Sequence, residues 1–364
     1  MGIAAGRRVT GEITLAMEAL DRAQPIAERS ELWSTCSRIH STRGNLYFAQ
    51  GRPAACGEEH ERALDYARRA GDRECEALAW SGLGDHAYAE GRMLTAAEHF
   101  RRCIALCREA GSVRSEIPNL CMVGHCLGWS GEGHASLEAI RTAVELSSRV
   151  GLPQIEVIVL ESIAFALVFQ GEFDEAAQWL EQAIEAARQA GARRYLATDY
   201  LLLASCRRAQ GRTAESLELI ARTSDLCTQI GMAFIGPSLL AARARSAADP
   251  AERKHLLAEG EALLSADCLA HGRLMFYQEA IDTAIDDGEW EAVLRYADAI
   301  ERAAPEPLAF AQLVAARGRA LVALGRRGLE ADIVAELRSL RDRLRGAGHG
   351  ALVAGIDSAL IARQ

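Results

Sequence analysis

Glycine returns every forty residues along this chain, at Gly11, Gly51, Gly91, Gly131, Gly171 and Gly211. A second series, Gly71, Gly111, Gly151, Gly191 and Gly231, falls midway between them. Glycine is the usual residue just past a helix end, because it takes the left-handed conformation without a side-chain clash. Between the marks, apolar residues recur at helical spacing. Ala96, Phe100, Cys103, Ile104 and Cys107 share one stripe, with Glu98, Arg101, Arg102 and Arg108 on other faces. The unit is therefore helix, tight turn, helix, tight turn. Short turns make neighbours antiparallel, and stacked units form an α-solenoid.

The register drifts beyond Gly231, but the pattern persists. Asp249-Pro250 stops one helix and starts the next, since proline suits a first helical turn. Further turns are expected around Gly272, Gly288, Pro305 and Gly325, and an apolar helix over residues 351–361 closes the stack. The expectation is one all-α solenoid over residues 1–364. It divides into a partial first repeat (1–30), regular repeats (31–231), irregular repeats (232–348) and a capping helix (349–364).

Composition narrows the partners. The chain is 49% hydrophobic with 5% aromatics, a helical mix rich in Ala, Leu, Glu and Arg. A net charge of −9 disfavours nucleic acid and anionic membrane, both of which need a basic face. The arginine pairs, such as Arg101-Arg102 and Arg207-Arg208, fall near helix ends, where arginine complements the dipole. The longest apolar run, residues 155–169, is short for a bilayer span and carries Glu156 and Glu161. Ten cysteines without a secretory signal read as reduced thiols of a cytoplasmic protein.

Trp80, Leu83-Gly84, Tyr88, Gly91, Ala96, Phe100 and Cys103 resemble the tetratricopeptide (TPR) signature. Gly44, Tyr47, Gly51 and Ala54-Ala55-Cys56 give a looser copy, and Ile163-Ala164, Gly171, Ala176, Leu180 and Ala183 another. The resemblance covers residues 11–346 and implies a right-handed superhelix of about seven and a half repeats. Its forty-residue period resembles the long arrays C-terminal to the ATPase module of bacterial STAND-type signalling proteins, including adenylate and guanylate cyclases. Only ten residues precede Gly11, so the chain is expected to start inside a repeat. No P-loop occurs. The resemblance implies a sensor or scaffold that holds a protein, a peptide or a small effector, with no cofactor. A change of curvature would relay binding to an output domain. The alternatives are a stand-alone adaptor and a self-associating chain whose face around Ile13, Leu15, Met17 and Leu20 pairs with a second copy.

In a TPR stack the first helix of each pair lines the concave groove. Carried onto this register, the central ladder is Asn45, Asp85, His125, Phe165 and Ser205. One turn earlier stand Ser41, Ser81, Cys121 and Glu161; about one turn later stand Phe48, Tyr88, Trp129, Phe169 and Arg208. The groove is expected to be polar toward the N-terminal repeats and apolar around Trp129, Phe165 and Phe169, a surface for a ligand of mixed character.

Sharper chemistries are weaker. His99, Cys103 and Cys107 fall on one helix, and Cys121, His125 and Cys126 on the next, with zinc-ligand types. There is no CxxC knuckle, and Cys56 and Cys103 occupy small packing positions, so they read as core. Cys121 and His125 as an alternative enzyme site would need an oxyanion loop that is not evident. No catalytic or metal residue is assigned. Two segments, residues 231–240 with Phe234 and residues 269–280 with His271, Phe276 and Tyr277, read as irregular repeats or kinks.

Overall fold

The computed structural model describes residues 13–232, 235–264 and 268–361. Gly11 and Phe234 lie outside them. Helix α1 (Ile13–Arg29) precedes the first pair. The pairs are α2 (Trp33–Ala49) with α3 (Pro53–Ala70), α4 (Arg73–Glu90) with α5 (Met93–Glu109), α6 (Val113–Trp129) with α7 (Gly133–Val150), α8 (Pro153–Gln170) with α9 (Phe173–Ala190), and α10 (Arg193–Ala209) with α11 (Thr213–Ile230). Then come α12 (Gly236–Ser246) with α13 (Pro250–Ala262), α14 (Ala270–Asp286) with α15 (Trp290–Arg302), and α16 (Ala309–Arg327) with α17 (Ala331–Gly346). A 3-10 turn (Gly350–Leu352) leads into α18 (Val353–Ile361). The described residues form an all-α, TPR-like solenoid with no strand.

The sequence signals act as expected at most ends. Pro53, Pro153 and Pro250 sit in first helical turns. Asp72 caps α4 by accepting from the Cys75 amide at 3.0 Å, and Asp249 caps α13 through Ala251 N at 3.1 Å. Two expected turns move. Gly272 is inside α14 and Gly325 inside α16; the break after α16 is Gly328, at φ +84°. Gly325 is a packing glycine: a Cβ there would lie 2.5 Å from the Trp290 ring. The segment around His271, Phe276 and Tyr277 is likewise continuous helix rather than a kink.

Close helix approach has a repeated cause. A Cβ on Gly44 would lie 2.4 Å from the His60 imidazole, one on Gly84 2.5 Å from Phe100, and one on Gly124 2.4 Å from Ile140. In each case a large residue of the second helix fills the space left by a glycine of the first. Helix α8 is apolar and long enough to cross a membrane by length and composition, yet here it is a core helix with 61% of that stretch buried.

The two glycine ladders differ in their surroundings between Gly71 and Gly191, whereas Gly211 of the first ladder, like the second ladder, has nothing within 4 Å of its Cβ. Nothing lies within 4 Å of a Cβ built on Gly71, Gly111, Gly151 or Gly191. A Cβ on Gly91 would meet Ala270 at 3.0 Å, one on Gly131 would meet Ala309 at 2.8 Å, and one on Gly171 would meet the Ala351 amide at 3.0 Å. The C-terminal ends of α4, α6 and α8 thus abut the starts of α14, α16 and the turn before α18, ten helices later each time. One superhelical turn takes five helix pairs, and the second turn rests on the first. Glu306, between α15 and α16, accepts from Leu94 N at 2.9 Å and Thr95 N at 3.3 Å, capping α5 across the seam. A single apolar core joins α4–α8 to α12–α18.

Candidate functional site

The residues of the concave face divide into three groups. The first is open. Ser41, Asn45, Ser81 and Asp85, with Arg38, Thr42, Glu74, Leu78 and Gly82, line a cavity of ≈ 330 Å³ between α2 and α4. Ser41 is only 7% exposed, and its Oγ has no hydrogen-bond partner. Arg38 donates to Glu74 at 3.3 Å and closes one rim. Asp85 is half-buried; burial pushes its carboxyl up to about 7 against the nearby Arg194 guanidinium. Phe48 is half-buried farther along α2.

The second group lies deeper. His125 stacks on Phe165 at 4.7 Å, and both are half-buried. The Ser162 hydroxyl donates to the Ile158 carbonyl, so it accepts from His125 Nε2 at 3.0 Å. Burial lowers the His125 imidazole to about 4, so it is neutral at pH 7. Glu161 is half-buried and lifted to about 7 by the surrounding protein, again against Arg194. Tyr195, whose phenol burial raises to about 12, shares this environment. Arg194 and Tyr195 fall outside the expected ladders. They stand at the start of α10, where helix-end position rather than ladder register brings them inward.

The third group is closed, which corrects the sequence expectation of an open apolar groove. Trp129 has no exposed surface. Its ring meets Phe169 and Phe310 edge-on, both at 4.8 Å, and its Nε1 donates to the Tyr88 hydroxyl at 3.3 Å. Tyr88 is buried against His271 at 5.6 Å, and Phe169 against His349 at 5.6 Å. The C-terminal turn fills the apolar half of the groove with the chain's own aromatics. Arg208 is also engaged: it donates to Glu279 at 2.6 Å, beside Arg245 at 3.6 Å from the same carboxylate. Ser205 is half-buried and donates to Leu201 O at 3.3 Å.

The cysteine readings resolve physically. Cys121 is fully buried and its thiol is pushed up to about 12, the opposite of an activated nucleophile. Cys103 and Cys107 lie 3.8 Å apart inside the core, and His99 packs on Trp80 at 5.2 Å. Among the described residues, no three His, Cys, Asp or Glu side chains gather as metal ligands. At the N-terminal end, Leu20 of α1 is buried in a cluster with Cys36, Ile39 and Leu46 of α2, while Leu15 is 41% exposed.

Sequence comparison fits this geometry. The MalT-like TPR region model matches residues 37–245, more than half of the chain. The chain belongs to the MalT-like TPR region family. Solved structures share the fold at low identity. A Rap protein complexed with Competence and Sporulation Factor aligns over 100% of this MalT-like chain and 98% of its own, with TM-score 0.57 and 12% identity. Aspartyl phosphate phosphatase F from Bacillus subtilis covers 78% of this chain and 74% of its own, with TM-score 0.59 and 11% identity. The apo form of RapI covers 71% and 94%, with TM-score 0.57 and 14% identity. No curated protein sequence matches the MalT-like chain.

Proposed function

We propose that this chain is a recognition module, holding a protein, peptide or small effector in the open polar half of its concave face. The observation that carries the reading is the Ser41–Asn45–Ser81–Asp85 cavity, in which a buried hydroxyl stands without a partner. A bound ligand would satisfy Ser41 Oγ, and would meet Asp85, and beyond it Glu161, as groups poised between acid and carboxylate near neutral pH. The Rap protein of matching fold was solved with a factor bound, which supports a ligand-holding role.

Membership of the MalT-like TPR family supports the finer reading of a sensor within a bacterial STAND-type signalling protein that works in the cytoplasm. Ten free, buried thiols accord with a reducing compartment. The test is a thermal-shift and native mass-spectrometry survey of the purified chain against peptides and small metabolites. Ser81→Leu fills the cavity and should abolish any ligand-induced shift. A shift of equal size in Ser81→Leu would place the ligand elsewhere and sink the reading.

A further inference from the structure

The contact between α1, α2 and α3 departs from the repeat. His40, Arg43 and Tyr66 stand where the next repeat has Trp80, Leu83 and Leu106, and the one after it Leu120, Val123 and Leu146. Packing positions that these two repeats fill with apolar or aromatic side chains carry His, Arg and Tyr here. They are joined into a network. Arg43 donates to Asp21 at 2.8 Å and to Gln24 at 2.9 Å; Gln24 donates to Glu28 at 2.8 Å, as does the Tyr66 hydroxyl at 3.3 Å. His40 Nδ1 donates to Glu59 Oε2 at 2.8 Å. Burying such groups costs free energy unless each is paired. Arg43 Nε and His40 Nε2 have no partner.

His40 is 2% exposed, yet it lines a cavity of ≈ 470 Å³ together with Gln24, Arg62, Asp65, Tyr66 and Arg69. This cavity shares no residue with the one between α2 and α4. A stacked series of side chains runs from its rim to its floor. The Arg69 guanidinium lies 3.5 Å over Trp33, Trp33 stacks on Tyr66 at 6.0 Å, and Tyr66 stacks on His40 at 5.3 Å. Glu59 pins Nδ1, so the imidazole presents Nε2 in one fixed direction. Arg62, Asp65 and Arg69 are exposed on one face of α3, and Arg62 also donates to Glu59 at 3.3 Å.

We propose that this cavity is a second binding site, taking the phosphate or carboxylate group of a small molecule, with His40 Nε2–H donating from the floor and Arg62 and Arg69 from the rim. An anion at Nε2 would sit on the opposite side of the ring from Glu59, which already holds Nδ1. A cation would face two guanidinium groups, and an apolar ligand would leave Nε2 unpaired.

The test uses the full chain, with inorganic phosphate, succinate and chloride at matched ionic strength. Calorimetry reads affinity, and imidazole nitrogen NMR reads His40 itself. Phosphate or succinate should bind and move the His40 Nε2 resonance toward the N–H form, while chloride should not. The tighter of the two names the group preferred. Arg69→Gln and His40→Leu should each weaken binding about tenfold or more, the loss expected for one charge-assisted contact. Ser81→Leu should leave it unchanged. If His40→Leu does not fold, the exposed Arg69→Gln carries the test. Absence of binding by both anions, or an unchanged affinity in Arg69→Gln, overturns the proposal.

Discussion

Gly133 and Gly348 meet backbone to backbone: a Cβ on either would lie 2.5 Å from the other's Cα. No side chain can be added at this point of the seam without separating the two superhelical turns. The same seam makes the interleaved glycine ladders unequal, and substitution can read that difference. Gly131→Ala and Gly111→Ala both place alanine at positive φ, +83° and +68°, which costs about 1 kcal/mol. Only Gly131→Ala also drives a methyl into Ala309, for a further cost of about 1–3 kcal/mol. Denaturant unfolding of the pair should show Gly131→Ala the less stable. Equal losses would mean that the turns are not in contact in solution.

Trp129 is a core residue of the seam. Trp129→Ala and Phe310→Ala should each cost about 3–5 kcal/mol. Because the two rings share one contact, the double variant should cost less than the sum of the singles. A strictly additive double-mutant cycle would show that the rings do not pack together.

Acid should destabilise the fold through its buried histidines. Burial holds His60, His271 and His349 near 4, against an ordinary 6.5. Between those pH values the unfolded chain takes up protons and the folded chain does not, so stability falls as pH drops from about 6.5 to about 4. His60 occupies the glycine cradle that Phe100 fills one repeat later. His60→Phe should therefore flatten the acid limb of a Tm-against-pH curve, removing a penalty of roughly 3 kcal/mol at its lower end. An unchanged acid limb would show that His60 does not titrate with unfolding.

Asp199 acts with the opposite sign. It is fully buried without a hydrogen-bond partner for either oxygen, and burial pushes it up to about 9. The folded chain keeps this proton where the unfolded chain has lost it, so stability declines as pH rises from about 4 to about 9. Asp199→Asn should raise Tm at pH 8 and have little effect at pH 4. A lower Tm at pH 8 would show that the carboxyl has a role that the amide cannot supply.

The fold was legible because its punctuation is local. A left-handed glycine, a proline in a first turn and a 3.6-residue stripe each act within one or two turns of chain. Gly325 misled for a related reason: glycine also serves where a large side chain such as Trp290 must approach, and spacing alone does not separate the two uses. The concave ladder joins Ser41, Asn45, Ser81 and Asp85, and these four line one cavity. It misplaced Trp129, Phe169 and Tyr88, because a forty-residue register describes neighbouring repeats and carries no information about a helix five repeats away. Phe310 and His349, which cover those rings, lie where the register has drifted. The polar network at His40 was readable in principle, as His40, Arg43 and Tyr66 at positions where the next two repeats carry Trp80, Leu83, Leu106, Leu120, Val123 and Leu146.

An open solenoid behaves as a soft spring, and a load at one end spreads through every repeat in turn. Here successive coils are bonded through Glu306, the glycine contacts and the aromatic seam, so the molecule is mechanically closer to a stiff tube. A displacement at α4 reaches α14 directly, without passing through the nine helices between them. A force or a bound effector that works on this module must first part the coils, and the yield point would be a single event at the seam rather than a gradual stretch.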